Sequence, residues 1–385
     1  MKLFMTTGGV ILISIHGVTK RFPDGTVAVD DLTLDIPEGQ TTVLVGPSGC
    51  GKTTTLRMIN RMIEPTSGSI LIDGKNVQST DKSTLRRGIG YVIQHAGLLP
   101  HRSIVDNIAT VPYLLGWNRK TARARAMELL ELVGLPAAYA KRYPFQLSGG
   151  QQQRVGVARA LCADPPIMLM DEPFSAVDPV VRKDLQDQLI DLQARLGKTV
   201  VLVTHDVDEA IKLGDRIAVM QVGGHLAQFD PPEALLAQPR DAFVESFVGA
   251  DRGIRSLSFM PAADLPLRTD LVIAEGRSGT DALQVAKEAG SRWLLVVDGG
   301  RQPLGWVHAD TLAERSTVDG SGLVAYGHTF VLAADSLRAA LDSAVLSSSR
   351  HAVGVDDAGR VLGVVDDAVI CAAIERRRGE LAAAS

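Results

Sequence analysis

No stretch of this 385-residue sequence is long and apolar enough to cross a bilayer. The run from Gly9 to Ile15 falls far short of the roughly 20 residues a spanning helix needs, and no later run does better, so the chain itself is expected to stay out of the membrane. Aromatic residues make up only 4% of the chain, too few for base-stacking platforms. The net charge of −4 and a pI near 6.1 leave no basic field to gather phosphate backbones, so nucleic acid is not an expected partner. Cysteine is scarce too. Cys50, Cys162 and Cys371 lie far apart and form no CxxC pair, which excludes a disulfide framework or a thiolate metal site and suits free thiols in a reducing compartment. The first 13 residues hold one lysine and a short apolar patch without a small-residue cleavage pattern; an edge strand with a frayed start is expected there, not a secretory signal, with Met5 as an alternative start.

What is present is an apolar content of 45%, enough for real cores, and a length that suggests two or three domains. From Ile13 to about Gly249, strand-like apolar runs alternate with helical patterns, which predicts an α/β layering around a parallel sheet. A short buried strand, Thr42 to Val45, feeds the loop Gly46-Pro47-Ser48-Gly49-Cys50-Gly51-Lys52-Thr53, and a helix is expected behind it through Leu56 to Ile63. Glycines allow backbone N–H groups to approach phosphates closely, and the helix N-terminus favours their charge. Lys52 is placed to reach the β and γ phosphates of a nucleotide, and Thr53 to offer a hydroxyl to Mg²⁺. Such a loop arises by chance in a chain of this length with odds on the order of 1%; its companions downstream make chance far less credible.

A strand at Ile167 to Met170 ends in Asp171, where a carboxylate can organise Mg²⁺ and its waters, and Glu172 follows as a general base for an attacking water. Alone, such a pair is usually a helix cap or turn; beside a phosphate loop the chemical reading is preferred. His205 ends a further strand, Thr199 to Thr204, and could hold the γ-phosphate and the attacking water in line. Gln94 follows the strand Ile89 to Ile93, and its amide oxygen could join the Mg²⁺ shell. Phe22 suits either stacking on adenine or core packing. Ser148 is a good N-cap for a helix through Arg154 and Arg159, so Ser148, Gly149, Gly150 and Gln151 open a second anion site. One phosphate loop with two anion sites suggests that the second serves another subunit's nucleotide. Leucines at 185, 189, 192 and 196 form one apolar stripe on a helix expected to pack on the sheet, and about His101 to Tyr143 reads as an inserted helical subdomain whose exposed loops are candidates for partner contact.

Beyond Gly249 an internal repeat lays Arg292 to Val307 on Arg350 to Val365. Arg292 matches Arg350, Val297 Val355, Asp298 Asp356, Leu304 Leu362, Gly305 Gly363 and Val307 Val365. Each copy reads as strand, Asp/Gly turn, strand, with a helix ahead (Asp281 to Ala289; Asp335 to Leu346) and another behind.

Taken together, 13–249 resembles an ATP-binding cassette (ABC) ATPase domain over its full length. The resemblance implies a P-loop NTPase fold with a helical subdomain at about 97–164. It implies a Walker A loop at Gly46 to Thr53 followed by Thr54, a Q-loop at Gln94, a signature at Leu147 to Gln151, and Walker B at Ile167 to Asp171 with catalytic Glu172. It further implies a D-loop at Ser175-Ala176-Val177-Asp178 and a switch histidine at His205. Two such domains would sandwich two ATP molecules with Mg²⁺, each P-loop facing the partner's signature helix, and drive an integral membrane permease. Finer features point to the importer branch for glycine betaine, carnitine, choline and proline. They include Pro47-Ser48-Gly49-Cys50-Gly51-Lys52-Thr53-Thr54-Thr55, then Met58-Ile59-Asn60-Arg61 with Ile63-Glu64-Pro65-Thr66-Ser67-Gly68, and Asn107-Ile108 followed by Val111-Pro112 and Leu115-Gly116-Trp117. That branch implies a homodimer of this subunit, an extracytoplasmic substrate-binding protein acting through the permease, and a peripheral place on the cytoplasmic face of the inner membrane.

The repeat resembles a pair of cystathionine-β-synthase (CBS) modules, α+β in class, expected at 250–316 and 317–376 with a short tail from 377 to 385. Adenosine-binding modules commonly end the second hairpin strand with a hydroxyl residue and place an aspartate three positions on; here His308 and Asp366 fill the first place, Thr311 and Val369 the second. Sensing of ionic strength, a cyclic dinucleotide at the interface, or dimerisation alone are the roles left open. The run Glu375 to Glu380 reads as a solvated helix end, with anionic-lipid contact as the alternative. Other readings of the whole are an importer ATPase for another solute such as an amino acid or sugar, and a soluble cassette clamp on ribosomes or DNA.

Overall fold

The computed structural model describes residues 10–94, 97–175 and 177–383, and the chain divides into two compact units, 1–249 and 250–385. Among the described residues the first unit carries ten strands: β1 (Ile11–Arg21), β2 (Val27–Pro37), β3 (Thr41–Val45), β4 (Ser67–Ile72), β5 (Lys75–Asn76), β6 (Ile89–Val92), β7 (Ile167–Asp171), β8 (Thr199–Thr204), β9 (Arg216–Gln221) and β10 (His225–Asp230). A six-stranded sheet runs β10-β9-β3-β8-β7-β6, parallel throughout except for β10. Its three central strands, β3, β8 and β7, are buried at every residue, which is why they read as unbroken apolar runs. Val43, Leu44 and Val45 are at most 1% exposed, and burial of each stabilises the fold by about 1.5–3 kcal/mol.

A second sheet, β2-β1-β4-β5, is antiparallel and was not anticipated. Its signal is alternation: Ile13 and Ile15 on β1, and Leu32, Leu34 and Ile36 on β2, are buried, while the intervening Ser14, Thr33 and Asp35 are not. β1 is therefore no edge strand; it is flanked by β2 and β4, which shield its backbone on both sides. Residues 1–9 of the expected frayed start lie outside the described residues. The helix behind the Gly-rich loop, Lys52–Ile59, also stops earlier than its apolar pattern suggests. Asn60 caps it and Arg61 turns left-handed at φ +49°, so Ile63 lies beyond the helix.

Between the adjacent strands β6 and β7 the chain inserts helices Ile104–Ile108, Thr110–Leu114, Arg119–Leu132 and Gly149–Leu161. Asp106 ties the first of these to the third, accepting hydrogen bonds from Ser103, Tyr113 and both Nε and Nη2 of Arg123 at 2.7–3.0 Å. Hydrogen bonding from the guanidinium, foremost, holds the Asp106 carboxyl down at about 2. An unfolded aspartate titrates near 4, so this contribution is full above about pH 4 and lost as pH falls toward 2. Asp106→Asn is expected to cost on the order of 1 kcal/mol at neutral pH, modest because Arg123 is half exposed, and almost nothing near pH 2. Urea melts at both pH values check this; an equal gap at both would exclude the carboxylate's charge as its source.

Leu185, Leu189 and Leu192 of the helix Pro179–Leu196 are buried, in a crevice shared with Leu132, Val133, Val157 and Phe174, so the stripe faces the inserted helices as well as the end of β7.

The second unit contains two three-stranded sheets: β11 (Val272–Ala274), β12 (Trp293–Val297) and β13 (Pro303–His308), then β14 (Thr329–Val331), β15 (His351–Val355) and β16 (Val361–Asp366). The repeated aspartates have one job: Asp298 Oδ1 accepts from Gly300 and Gln302 N–H, and Asp356 Oδ1 from Ala358 and Arg360 N–H, closing equivalent turns. Helices Gly279–Glu288 and Leu337–Leu346 precede the hairpins, but behind them the copies diverge. The second continues into helix Asp367–Ala383, which absorbs most of the expected tail; Arg377 on it pairs with Asp264 at 2.9 Å. The first makes only the 3₁₀ turn Ala309–Thr311, because the chain must return to pair Thr317 with Ser278.

A boundary at 316/317 does not separate the two cores. Leu257, Met260, Ala262 and Leu265 pack with Phe330, Leu337 and Ile370 of the second sheet, while Val318 packs with Leu271, Leu294 and Trp306 of the first. The segment leading into each repeat covers the other one. The repeated glycines mark the crossings: a Cβ at Gly305 would lie 2.8 Å from Leu323 Cβ, and one at Gly363 2.9 Å from Leu267 Cβ.

A nucleotide site at the edge of the parallel sheet

Parallel strands bring their C-terminal ends to one edge, so residues far apart in sequence meet there. Val45 of β3 lies in register with Thr204 of β8, and Asp171 of β7 with Val203. The Gly-rich loop, the Asp171-Glu172 pair and His205 therefore share one rim.

The loop is pinned at both ends and exposed at its crest. A Cβ at Gly46 would lie 2.2 Å from the Met220 carbonyl oxygen of β9; at Gly51, where φ is +91°, it would lie 2.2 Å from that of Ala28 on β2. Only glycine allows those approaches. Ser48 and Gly49 stand exposed between them, Pro47 is half-buried, and Cys50 is a buried free thiol. Lys52, 6% exposed, donates to the Gly46 and Pro47 carbonyl oxygens at 2.7 and 3.0 Å and lies 3.5 Å from Cys50 Sγ. Among the described residues it forms no ion pair. A buried ammonium satisfied by dipoles alone is a group suited to an anion. Thr54, half-buried, follows Thr53 on the first turn of the helix.

Thr53 Oγ1 donates to Asp171 Oδ1 at 2.7 Å, joining the two candidate Mg²⁺ ligands across 118 residues. Next to them Glu172 adopts φ +45°, a left-handed conformation that costs a residue with a Cβ roughly 1–2 kcal/mol. Its own N–H donates to Val203 O at 3.0 Å, and Ser175 Oγ donates to its carbonyl, so the turn is fixed. The Glu172 carboxylate is bracketed. Gln94 Nε2 lies 3.4 Å from Oε2, and His205 Nδ1 3.4 Å from Oε1. Gln94, expected at the Mg²⁺ ligands, is thus hydrogen-bonded to Glu172 instead; β6 ends at Val92 in register with Met170, so Gln94 stands two residues past its strand, level with Glu172, whereas Asp171 is the last residue of β7.

The remaining candidates lie on other elements. Phe22 lies on the β1–β2 turn, half-buried, with the Lys20 ammonium 5.2 Å from its ring centroid. Ser148 caps the helix Gly149–Leu161 in a reciprocal box with Gln151, at 3.4 and 3.1 Å, while Gly149 and Gly150 open its first turn. Asp178 is exposed just ahead of the helix Pro179–Leu196, and Ala176 lies outside the described residues. Among the described residues no hydrogen bond joins Ser148 to Gln151 with the phosphate loop of the same chain.

Two neighbours of the site went unread in the sequence. Tyr91 on β6 is pushed up to about 12, first by burial and then by the Asp171 charge. Asp206 caps the helix Val207–Leu213, accepting from Asp208 and Glu209 N–H. The pattern His205-Asp206-Val207-Asp208-Glu209, a cap followed by a first turn of acids, was its available signal.

A glycine loop between a central parallel strand and a helix, an acidic pair at the end of the next strand but one, and a histidine just past the end of the strand between them define a P-loop nucleoside triphosphatase. The ABC transporter family matches residues 29–175. The osmoprotectant import ATP-binding protein OsmV of Salmonella typhimurium is 45% identical over 364 residues, 92% of this chain and 94% of that one. The carnitine transport ATP-binding protein OpuCA of Listeria monocytogenes is 43% identical over 92% of this chain and 90% of its own length. The glycine betaine/carnitine/choline transport ATP-binding protein OpuCA of Bacillus subtilis is 46% identical, covering 78% and 79%. A dimeric structure of the ATP-binding cassette MJ0796 with ADP and Pi superposes with a TM-score of 0.53 at 35% identity, over 57% of this chain and 99% of that one. The chain belongs to the ABC transporter family, as an ATP-binding subunit.

Proposed function

We propose that the chain is the ATP-hydrolysing subunit of an importer for quaternary-amine osmoprotectants: glycine betaine, carnitine, choline or proline. The observation that carries this reading is the reach of the likeness. Identity of 45% extends over 92% of the chain, well past the cassette into the second unit, in a relative named for osmoprotectant import.

The residues fit ATP with Mg²⁺. Lys52 offers an unpaired buried charge to the β and γ phosphates, inside a loop whose glycines expose backbone N–H groups from Gly46 to Thr53. Thr53 and Asp171 present adjacent hard oxygens to Mg²⁺, with Gln94 nearby; the metal supplies charge neutralisation on the phosphates. Glu172 takes the proton of the attacking water, and His205 and Gln94 orient its carboxylate. Phe22 stacks on adenine, its half-exposed ring beside Lys20. Ser148 to Gln151 and Asp178 of each copy face the other copy's nucleotide, which accounts for a capped, glycine-opened helix end that, among the described residues, shares no hydrogen bond with its own phosphate loop.

Two copies pair around two ATP molecules and bind an integral permease, with a substrate-binding protein delivering solute from the far side. Among the described residues no helix is long and apolar enough to cross a membrane, and exposed Leu114, Leu115, Trp117 and Phe145 on the inserted helical region offer an apolar face to the permease. The subunit is accordingly placed peripherally on the cytoplasmic face of the inner membrane. The two hairpin repeats of the second unit are read as a CBS pair acting on transport.

Uptake of labelled glycine betaine, choline, carnitine and proline by cells with and without the protein, at low and high osmolarity, tests the proposal. Loss of osmotically stimulated uptake of at least one on deletion is expected. Unchanged uptake of all four would overturn it.

A further inference from the structure

We infer that Glu209 is a positioning residue for hydrolysis, holding the His205 turn and the Asp178 loop in one hydrogen-bonded frame. Glu209 lies on the helix Val207–Leu213 and is 6% exposed. A buried carboxyl lowers stability relative to an apolar side chain of the same size, and burial here raises its titration above the ordinary carboxyl range. What Glu209 supplies in return is a hydrogen-bonded link on two sides, by its backbone N–H and by its carboxylate.

On one side Asp206 Oδ1 accepts the Glu209 N–H at 3.3 Å, and the Thr204 hydroxyl oxygen accepts the Asp206 N–H at 3.1 Å. His205 is the residue between Thr204 and Asp206, so two linked hydrogen bonds running from Glu209 set its backbone. That matters for a side chain that is 60% exposed and held to Glu172 only at 3.4 Å: its aim comes from its turn, not from packing.

On the other side Glu209 Oε1 accepts from Gln186 Nε2 at 3.0 Å. Gln186, 8% exposed, sits one turn beyond Arg182 on the helix Pro179–Leu196. Arg182 donates from Nη2 to Val177 O at 3.2 Å and from its backbone N–H to Asp178 O at 2.8 Å. The path from His205 to the Asp178 loop is therefore continuous, with Glu209 at its centre. In the reading above, His205 acts on the chain's own nucleotide and Asp178 faces the partner's, so Glu209 would keep the two in fixed relation.

The inference rests on that reading of His205, and the test separates the two. Steady-state ATP hydrolysis by the full-length protein is measured for Glu209→Ala, Glu209→Gln, His205→Ala and the Glu209→Ala/His205→Ala double variant. Glu209→Ala is expected to lower kcat about tenfold with KM for ATP unchanged, the loss of one charge-assisted hydrogen bond. Glu209→Gln keeps an acceptor oxygen and should recover to within about twofold of wild type. The double variant should be no slower than His205→Ala alone, because both changes disable one device. Normal kcat in Glu209→Ala beside an impaired His205→Ala, or losses that multiply in the double variant, would overturn the inference while leaving His205's role intact. Normal kcat in His205→Ala would overturn the underlying reading. Should Glu209→Ala fail to fold, Gln186→Ala removes the partner and leaves Glu209 in place; a lowered kcat at constant KM supports the frame, and an unchanged kcat refutes it.

Discussion

Replacing Glu172 by glutamine is expected to slow ATP hydrolysis about a thousandfold while ATP binding persists. General-base catalysis contributes roughly 10²–10⁴-fold, and glutamine keeps the shape of the side chain but has no basic oxygen to take the water's proton. The geometry makes the substitution clean. The backbone at φ +45° is already held by the Val203 and Ser175 hydrogen bonds, which the side chain does not make, so the turn should survive. The glutamine side chain can still meet Gln94 and His205. Phosphate release measured beside the size of the protein with ATP checks both halves: turnover lost, ATP-driven pairing of two copies kept. Turnover within tenfold of wild type would reject Glu172 as the base.

Lys52→Ala should have the opposite signature, with binding lost and the fold intact. Its ammonium is bound only by carbonyl oxygens and a thiol, so no buried carboxylate is stranded when the charge goes. Saturating nucleotide stabilises a protein through mass action by about 2.7 kcal/mol at a hundred times Kd. The wild type should show a rise of that order in urea melts with ATP, and the variant none, at unchanged stability without nucleotide. An ATP-dependent rise in the variant equal to that of wild type would remove Lys52 from the phosphate site.

Much of this site was legible because its parts are short linear patterns at strand ends, and the strand ends are what a parallel sheet gathers. Gly46 to Thr53, Asp171, Glu172 and His205 needed no tertiary information beyond that. Gln94 shows the limit: its type and place were readable, but whether its amide meets the magnesium ligands or Glu172 depends on one residue of strand length. The antiparallel sheet was missed because its apolar residues alternate, a weaker signal than the solid runs of β3, β7 and β8. Glu209 lay hidden for a different reason, since an acid in the first turn of a helix is the commonest surface pattern, and only the fold buries it. In the second unit the repeated Gly305 and Gly363 were visible, yet their cause, a crossing segment from outside the repeat, was not.

That exchange of segments governs the order in which the second unit can be completed. As the chain is synthesised from its N-terminus, Leu257 to Leu265 emerge well before Phe330 and Ile370, the residues they cover. The first hairpin likewise waits for Val318 and Leu323 to close over it. Neither repeat has a finished interior until nearly all of the chain has left the ribosome, so a stop codon anywhere between the hairpins should release a protein with two exposed half-cores and not one sound module.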